Sequence, residues 1–194
     1  MTSIALGTRA VIADALPRFV ARDAVLVLGA ALLTALLAQL AVPVPGSPVP
    51  ITGQTFAVLL TGAALGPLRG AAGQATYLAL GLVGLPVYTG GAAGVDVAFG
   101  GSFGYLAGFV VAAFLVGALA RRGLDRNAGG VLLAFAVGTV TIYALAVPWL
   151  MVRLDLPLTT AVDVGVVPFL LGDALKAALA AALLPGAWRL LGDR

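Results

Sequence analysis

The feature that most limits what this chain can fold into is the spacing of its charges. From Ala24 to Val42 there is none. A helix needs about 20 mostly apolar residues to cross a bilayer, so this run is a first span. Five more apolar segments follow, at Gly53–Gly66, Gly70–Leu85, Gly101–Ala120, Gly130–Met151 and Val166–Leu191. Breakers separate them. Pro43–Pro50 is Pro-rich and reads as an extended loop, because proline fixes φ and removes a backbone donor. Gly66-Pro67 ends the second segment, and Pro86–Phe99 is a Gly-rich loop. Arg121, Arg122, Asp125 and Arg126 mark a polar turn, and Arg153–Gly165 a polar connection. Pro148 interrupts the fifth segment late, while Pro168 suits the first turn of the sixth.

The expectation is an all-α polytopic membrane protein of six transmembrane helices, with residues 24–191 as one substrate-binding domain. Composition agrees: 61% of the 194 residues are hydrophobic and 10% charged, against roughly 25% charged in average soluble domains. Residues 1–23 form a cytoplasmic or interfacial segment and lack the apolar core of a cleaved leader. Loose amphipathic spacing of Val11, Leu16, Phe19 and Val20 predicts a short helix along the membrane surface.

The charges also orient the chain. With both termini in the cytoplasm, Arg9, Arg18, Arg22, Arg69, Arg121, Arg122, Arg126, Arg189 and Arg194 fall inside. Only Arg153 falls outside, beside Asp96, Asp155 and Asp163, as the positive-inside rule requires. The net charge of +3 is therefore a topology signal; no aromatic-interleaved basic patch points to nucleic acid.

Two ionisable residues sit inside a span, Asp173 and Lys176, three apart and so on one helix face. A charge at mid-helix costs about 2.5–3.5 kcal/mol on insertion scales, and pairing on an exposed helix returns only about 0.2–0.5 kcal/mol. A water-filled pocket with a polar ligand would hold such a pair. Snorkelling to the outer interface, or a lock between the sixth helix and a polar neighbour, are the competing readings. Asp173 is expected about seven residues deep, roughly 10 Å from the outer face, near the loops Pro43–Thr52 and Pro86–Phe99.

Enzyme chemistries fare poorly. The only lysine lies between Leu175 and Ala177, which excludes a phosphate-binding Gly-Lys-Ser/Thr loop. There is no histidine to serve Ser3, Ser47 or Ser102 and no cysteine. An aspartyl protease site at Gly172-Asp173 would need a second aspartate within another span, and there is none. No metal or cofactor is expected.

Other polar residues carry two readings each. Thr52, Gln54 and Thr55 can cap the second span or face a ligand. Gln74 and Tyr77 can bond between helices; Tyr88 and Tyr105 can be interface aromatics or ligand contacts. Small residues recur at helix-packing spacing: Gly62, Gly66 and Gly70; Gly100, Gly104 and Gly108; and on the first span Ala30, Thr34 and Ala38 beside Ala31 and Ala35. The last two rows suit packing inside the bundle or against a partner subunit.

Several of these pieces together resemble a known family. Pro48-Val-Pro-Ile-Thr-Gly-Gln-Thr55, Leu65-Gly-Pro67, Gly84-Leu-Pro-Val-Tyr88 with Gly90-Gly91, Gly100-Gly101 with Gly104-Tyr-Leu-Ala-Gly108, and Pro168-Phe-Leu-Leu-Gly-Asp-Ala-Leu-Lys176 are similar, in this order, to BioY, the biotin-specific S component of energy-coupling factor (ECF) transporters. The resemblance spans about residues 25–185. It implies a six-helix S-component bundle in the bacterial plasma membrane, with Asp173 and Lys176 against the biotin ring system and the two external loops closing over it. It further implies Ala31–Ala35, or Ala30–Thr34–Ala38, as the docking row for a transmembrane coupling subunit served by separate ATPase subunits. Some members of the family work without dedicated partners. Thr52, Gln54, Tyr77, Tyr88, Gly90, Gly91, Gly101 and Tyr105 complete the expected site, with glycine N–H groups offered to the biotin carboxylate. An S component for another small vitamin, or a non-transport membrane scaffold, are the alternatives.

Overall fold

The computed structural model describes residues 9–17 and 21–191. Arg18, Phe19, Val20 and Arg194 lie outside the described residues. Helix α1 is Arg22–Ala38, followed by strands β1 (Ala41–Val42) and β2 (Ile51–Thr52), then α2 (Gln54–Leu65), α3 (Pro67–Leu82), α4 (Val95–Ala98), α5 (Phe103–Ala120), α6 (Ala128–Leu154), α7 (Leu158–Gly165) and α8 (Leu170–Leu191). The Pro-rich stretch is thus the turn of a small antiparallel hairpin, with Ala41 opposite Thr52 and Val42 opposite Ile51. Strands of two residues are too short to show a period, which is why the sequence hides them.

The polar connection Arg153–Gly165 is largely helical: α6 runs through Pro148 to Leu154, Asp155 caps it in the left-handed region (φ 51°), and α7 follows. One further expectation needs correction: the sixth span does not start as regular helix at Val166. The chain bends there, makes a 3-10 turn at Val167–Phe169, and only then enters α8. Asp173 therefore sits in the first turn of α8, not two turns deep.

Among the described residues, Phe103–Ala120, Ala128–Leu154 and Leu158–Leu191 are long and apolar enough to cross a membrane. The shorter α1, α2 and α3 pack beside them in the same bundle. Val25, Leu28, Leu32 and Leu36 on α1, Leu133 and Val140 on α6, and Leu171, Leu175, Leu179 and Leu183 on α8 point outward. So large an apolar exterior marks contact with lipid.

In lipid, apolar burial does not drive helices together, so close backbone approach must. Helix α5 lies at the centre. A Cβ added at Gly104 would meet Ala146 Cα at 2.7 Å, and one at Gly108 would meet Ile142 Cα at 2.9 Å, which seats α5 on α6. On α1 the small rows turn inward. A Cβ at Gly73 of α3 would stand 2.6 Å from Ala30 Cβ. Ala30, Ala31, Thr34 and Ala38 are buried, and only Ala35 is half-buried. Thr34 donates to Gln74 Oε1 at 3.1 Å, and Gln74 Nε2 donates to Thr61 Oγ1 at 3.2 Å, so a satisfied polar chain joins α1, α3 and α2.

One end of the bundle collects charge. The 3-10 turn Ile12–Ala15 tucks Val11 and Ala13 against the bundle. Asp14 pairs with Arg69 at 3.0 Å and Arg121 at 2.8 Å. Burial opposes its ionised form, but the Arg69 and Val11 N–H hydrogen bonds and the two guanidinium charges prevail and hold its carboxyl below the usual range. Nearby, Asp125 is buried, accepts from Trp188 Nε1 at 2.6 Å, and burial pushes its carboxyl up. The other end carries the hairpin, the 83–102 loop and α7, and there the site lies.

Candidate functional site

The site starts from the N-terminal turn of α8. Asp173 falls there because the chain re-enters helix only after Phe169, and the positive end of the helix favours its carboxylate. Lys176, one turn on, reaches back to Asp173 Oδ1 at 3.2 Å. The pair does not snorkel outward: the Asp173 and Lys176 side chains are 10% and 17% exposed. Lys176 Nζ also donates to Thr55 Oγ1 at 2.6 Å, which ties α8 to α2. The Tyr143 hydroxyl of α6 donates to Asp173 Oδ2. Three helices thus share one charged cluster.

That cluster forms part of the wall of a cavity of about 340 Å³, within the range of small-molecule sites. Val49 and Pro50 of the hairpin turn, Val97 of α4, and Leu106, Phe109 and Phe169 supply apolar wall; Thr89, Ser102, Tyr105 and Gln54 add polar groups. The chamber is mostly apolar with a few fixed donors and acceptors, which suits a ligand with a hydrocarbon body and one strongly polar end.

Its secondary supports are hydrogen-bonded. Gln54 Nε2 donates to the Tyr77 hydroxyl at 2.7 Å, and Gln54 Oε1 accepts from Thr52 at 2.8 Å. Tyr88 packs edge-on against Tyr77, centroids 5.7 Å apart, and donates to Leu78 O at 2.8 Å. Residue 81 must be glycine to admit that ring: an added Cβ would fall 2.0 Å from Tyr88 Cζ. Tyr105 donates to Gly165 O at 2.6 Å, fastening α5 to the end of α7.

Of the expected site residues, Asp173, Lys176, Thr52, Gln54, Tyr88 and Tyr105 come together around the cavity. Tyr77 is buried behind Gln54 and supports the wall from outside it. Gly90, Gly91 and Gly101 are not part of the wall: the Gly91 N–H is shared between Gln39 Oε1 and Tyr88 O, each at 3.0 Å, and Gly101 faces Leu150 and Pro48. The docking row also needs correction. Ala30, Ala31, Thr34 and Ala38 are spent on packing within the bundle, because α1 lies against α3, and offer no surface to a partner. Tyr143, Thr89, Ser102, Phe109 and Phe169 line the cavity but were not anticipated. For Tyr143 a signal existed, a phenol hydroxyl within a largely apolar span, which needs a partner when buried.

Comparison with known proteins is consistent with this geometry. Over 143 residues the chain is 36% identical to the biotin transporter BioY of Rhizobium etli, covering 70% of this chain and 76% of that one. It is 37% identical over 140 residues to the biotin transporter BioY of Thermotoga maritima, covering 72% and 81%. A solved structure described as the S-component for biotin from an ECF-type ABC transporter superposes with a TM-score of 0.77 at 28% identity, covering 85% of this chain and 89% of that one. The BioY family model matches residues 8–193. By that match, and by the fold it shares with the solved S-component, the chain belongs to the BioY family.

Proposed function

We propose that this protein captures biotin from outside the cell as the S component of an ECF-type importer in the bacterial plasma membrane, and is a transporter subunit rather than an enzyme. The observation that carries this reading is the Asp173–Lys176 pair set in the wall of an otherwise apolar chamber. A cyclic urea offers two N–H donors and one carbonyl acceptor. The Asp173 carboxylate can accept an N–H, and the Lys176 ammonium can donate to the carbonyl. Phe109, Phe169 and Leu106 suit the thioether ring and aliphatic tail. For the tail carboxylate, the Ser102 hydroxyl is a donor in the wall, and the Thr89 hydroxyl can join it by giving up a long 3.4 Å bond to Gln54 Oε1.

The orientation follows from charge. Six spans with both termini inside place the Asp14–Arg69–Arg121 end in the cytoplasm and the hairpin, the 83–102 loop and α7 outside. The chamber then fills from the outer side and empties inward after docking on an energised partner, a transmembrane coupling subunit with its ATPases. A coupling subunit meeting α1 would use its outward face, where Gly29, Leu32 and Leu36 are exposed and Ala35 reaches the surface.

Equilibrium binding to the purified chain in detergent tests the reading, with biotin, thiamine and riboflavin compared. Saturable binding of biotin alone is expected, with a rise in melting temperature at concentrations far above the dissociation constant. Preference for another vitamin would keep the S-component role and replace the substrate; no binding of any would sink both.

A further inference from the structure

The 88–91 segment carries two cavity residues, Tyr88 and Thr89; its backbone is closed on itself by Gly91 N to Tyr88 O and Tyr88 N to Ala92 O, both at 3.0 Å, and the Tyr88 hydroxyl anchors it to Leu78 O at 2.8 Å. Gly90 and Gly91 are both in the left-handed region, with φ of 70° and 73°. Outside that segment, one side chain grips its backbone from both sides. Gln39, the residue that ends α1, donates from Nε2 to Tyr88 O at 3.1 Å and accepts at Oε1 from Gly91 N at 3.0 Å. The same Nε2 donates to Ala35 O at 3.0 Å, which fixes the amide to the last turn of α1. That turn also holds the hairpin: Gly53 N donates to Leu37 O and Leu40 O, both at 3.1 Å. Both covers of the chamber are therefore joined to this turn of α1, and Gln39 joins the second there, beside the separate hold of the Tyr88 hydroxyl on Leu78 O of α3.

We propose that Gln39 is a positioning residue for ligand retention, clasping the Tyr88–Gly91 segment onto α1 so that Tyr88 and Thr89 stay in the chamber wall. The retention role rests on the chamber being the ligand site. Gln39 itself is exposed and leaves no buried hole when truncated, so its loss acts on the loop and not on the core. A displacement of the end of α1 would release the segment, which makes this turn the mechanical link between helix and cover.

The test uses the full chain in detergent, as wild type, Gln39→Ala and Gln39→Glu. Without ligand, hydrogen exchange of a peptide covering residues 86–94 is expected to quicken in Gln39→Ala by about five- to thirtyfold, the factor that one or two net hydrogen bonds carry. Gln39→Glu keeps the acceptor for Gly91 N–H but lacks the donor to Tyr88 O, and should fall between. Biotin dissociation should quicken in the same order while the ligand-free melting temperature stays unchanged. Unchanged exchange in Gln39→Ala overturns the clasp. Faster exchange with unchanged biotin dissociation overturns its role in retention. Faster exchange throughout the chain with a lowered melting temperature overturns it in favour of a purely structural residue. Because the exchange arm needs no ligand, it separates failure of the clasp from failure of the biotin reading.

Discussion

Neutralising Asp173 and Lys176 singly and together separates a binding pair from a structural lock. Lys176→Met removes an ammonium 3.2 Å from Asp173 Oδ1 and 2.6 Å from Thr55 Oγ1. Asp173 keeps the Tyr143 hydroxyl and a long 3.5 Å approach from Thr55. The ligand-free fold therefore loses two ammonium hydrogen bonds, offset in part because Asp173 keeps two hydroxyl donors, for a net loss of about 1.5–3 kcal/mol. Stripping a buried pair with no other donors would cost about 3–5 kcal/mol. Asp173→Asn leaves an ammonium with weaker acceptors and should cost a similar amount. The double variant removes both charges, and its stability should return to within about 1 kcal/mol of wild type, since a buried pair rarely outperforms a neutral replacement. Biotin affinity should behave the opposite way. Each lost group costs about 1.5–3 kcal/mol of binding, roughly 10- to 150-fold in dissociation constant. The double variant should then lose on the order of 10²- to 10⁴-fold. Thermal unfolding without ligand and equilibrium biotin binding, on the same detergent preparations, give both quantities. Recovery of affinity together with stability in the double variant would refute the reasoning, leaving a pair that merely ties α8 to α2 and α6.

Gly81→Ala should reach the chamber indirectly. Its Cβ would meet the Tyr88 ring at 2.0 Å, so the ring must swing and release Leu78 O; a stability loss of about 1–3 kcal/mol is expected, with weaker biotin binding by calorimetry. At the charged end, Asp14 has a lowered carboxyl, so its contribution is present above the ordinary carboxylate value of 3.8 and lost as pH falls through the lower native value. Asp14→Asn should remove that acid-side slope from a melting-temperature profile against pH, while leaving biotin binding near neutrality unchanged.

The positions of the long helices could be read directly from the chain. Uncharged runs broken by Pro, Gly and Arg leave a membrane helix as the only economical outcome, because a backbone in lipid must satisfy its own hydrogen bonds. The pairing of Asp173 with Lys176 was equally legible, because a spacing of three puts two side chains on one helix face whatever the rest of the fold does. Together with the ordered Pro, Gly and Tyr motifs, that was enough to indicate the family.

Helix azimuth was not legible. Helices apolar on all sides carry no stripe to say which face turns inward. Only packing decided that Ala30 and Thr34 lie against α3, that Ala38 is buried, and that Leu32 and Leu36 face lipid. For the same reason only the folded bundle could bring Tyr143 of α6, Thr55 of α2 and Asp173 of α8 to one point. Local spacing determines what shares a helix face, whereas residues 30 and 118 positions apart meet only through the rotations at which helices settle their small residues against one another.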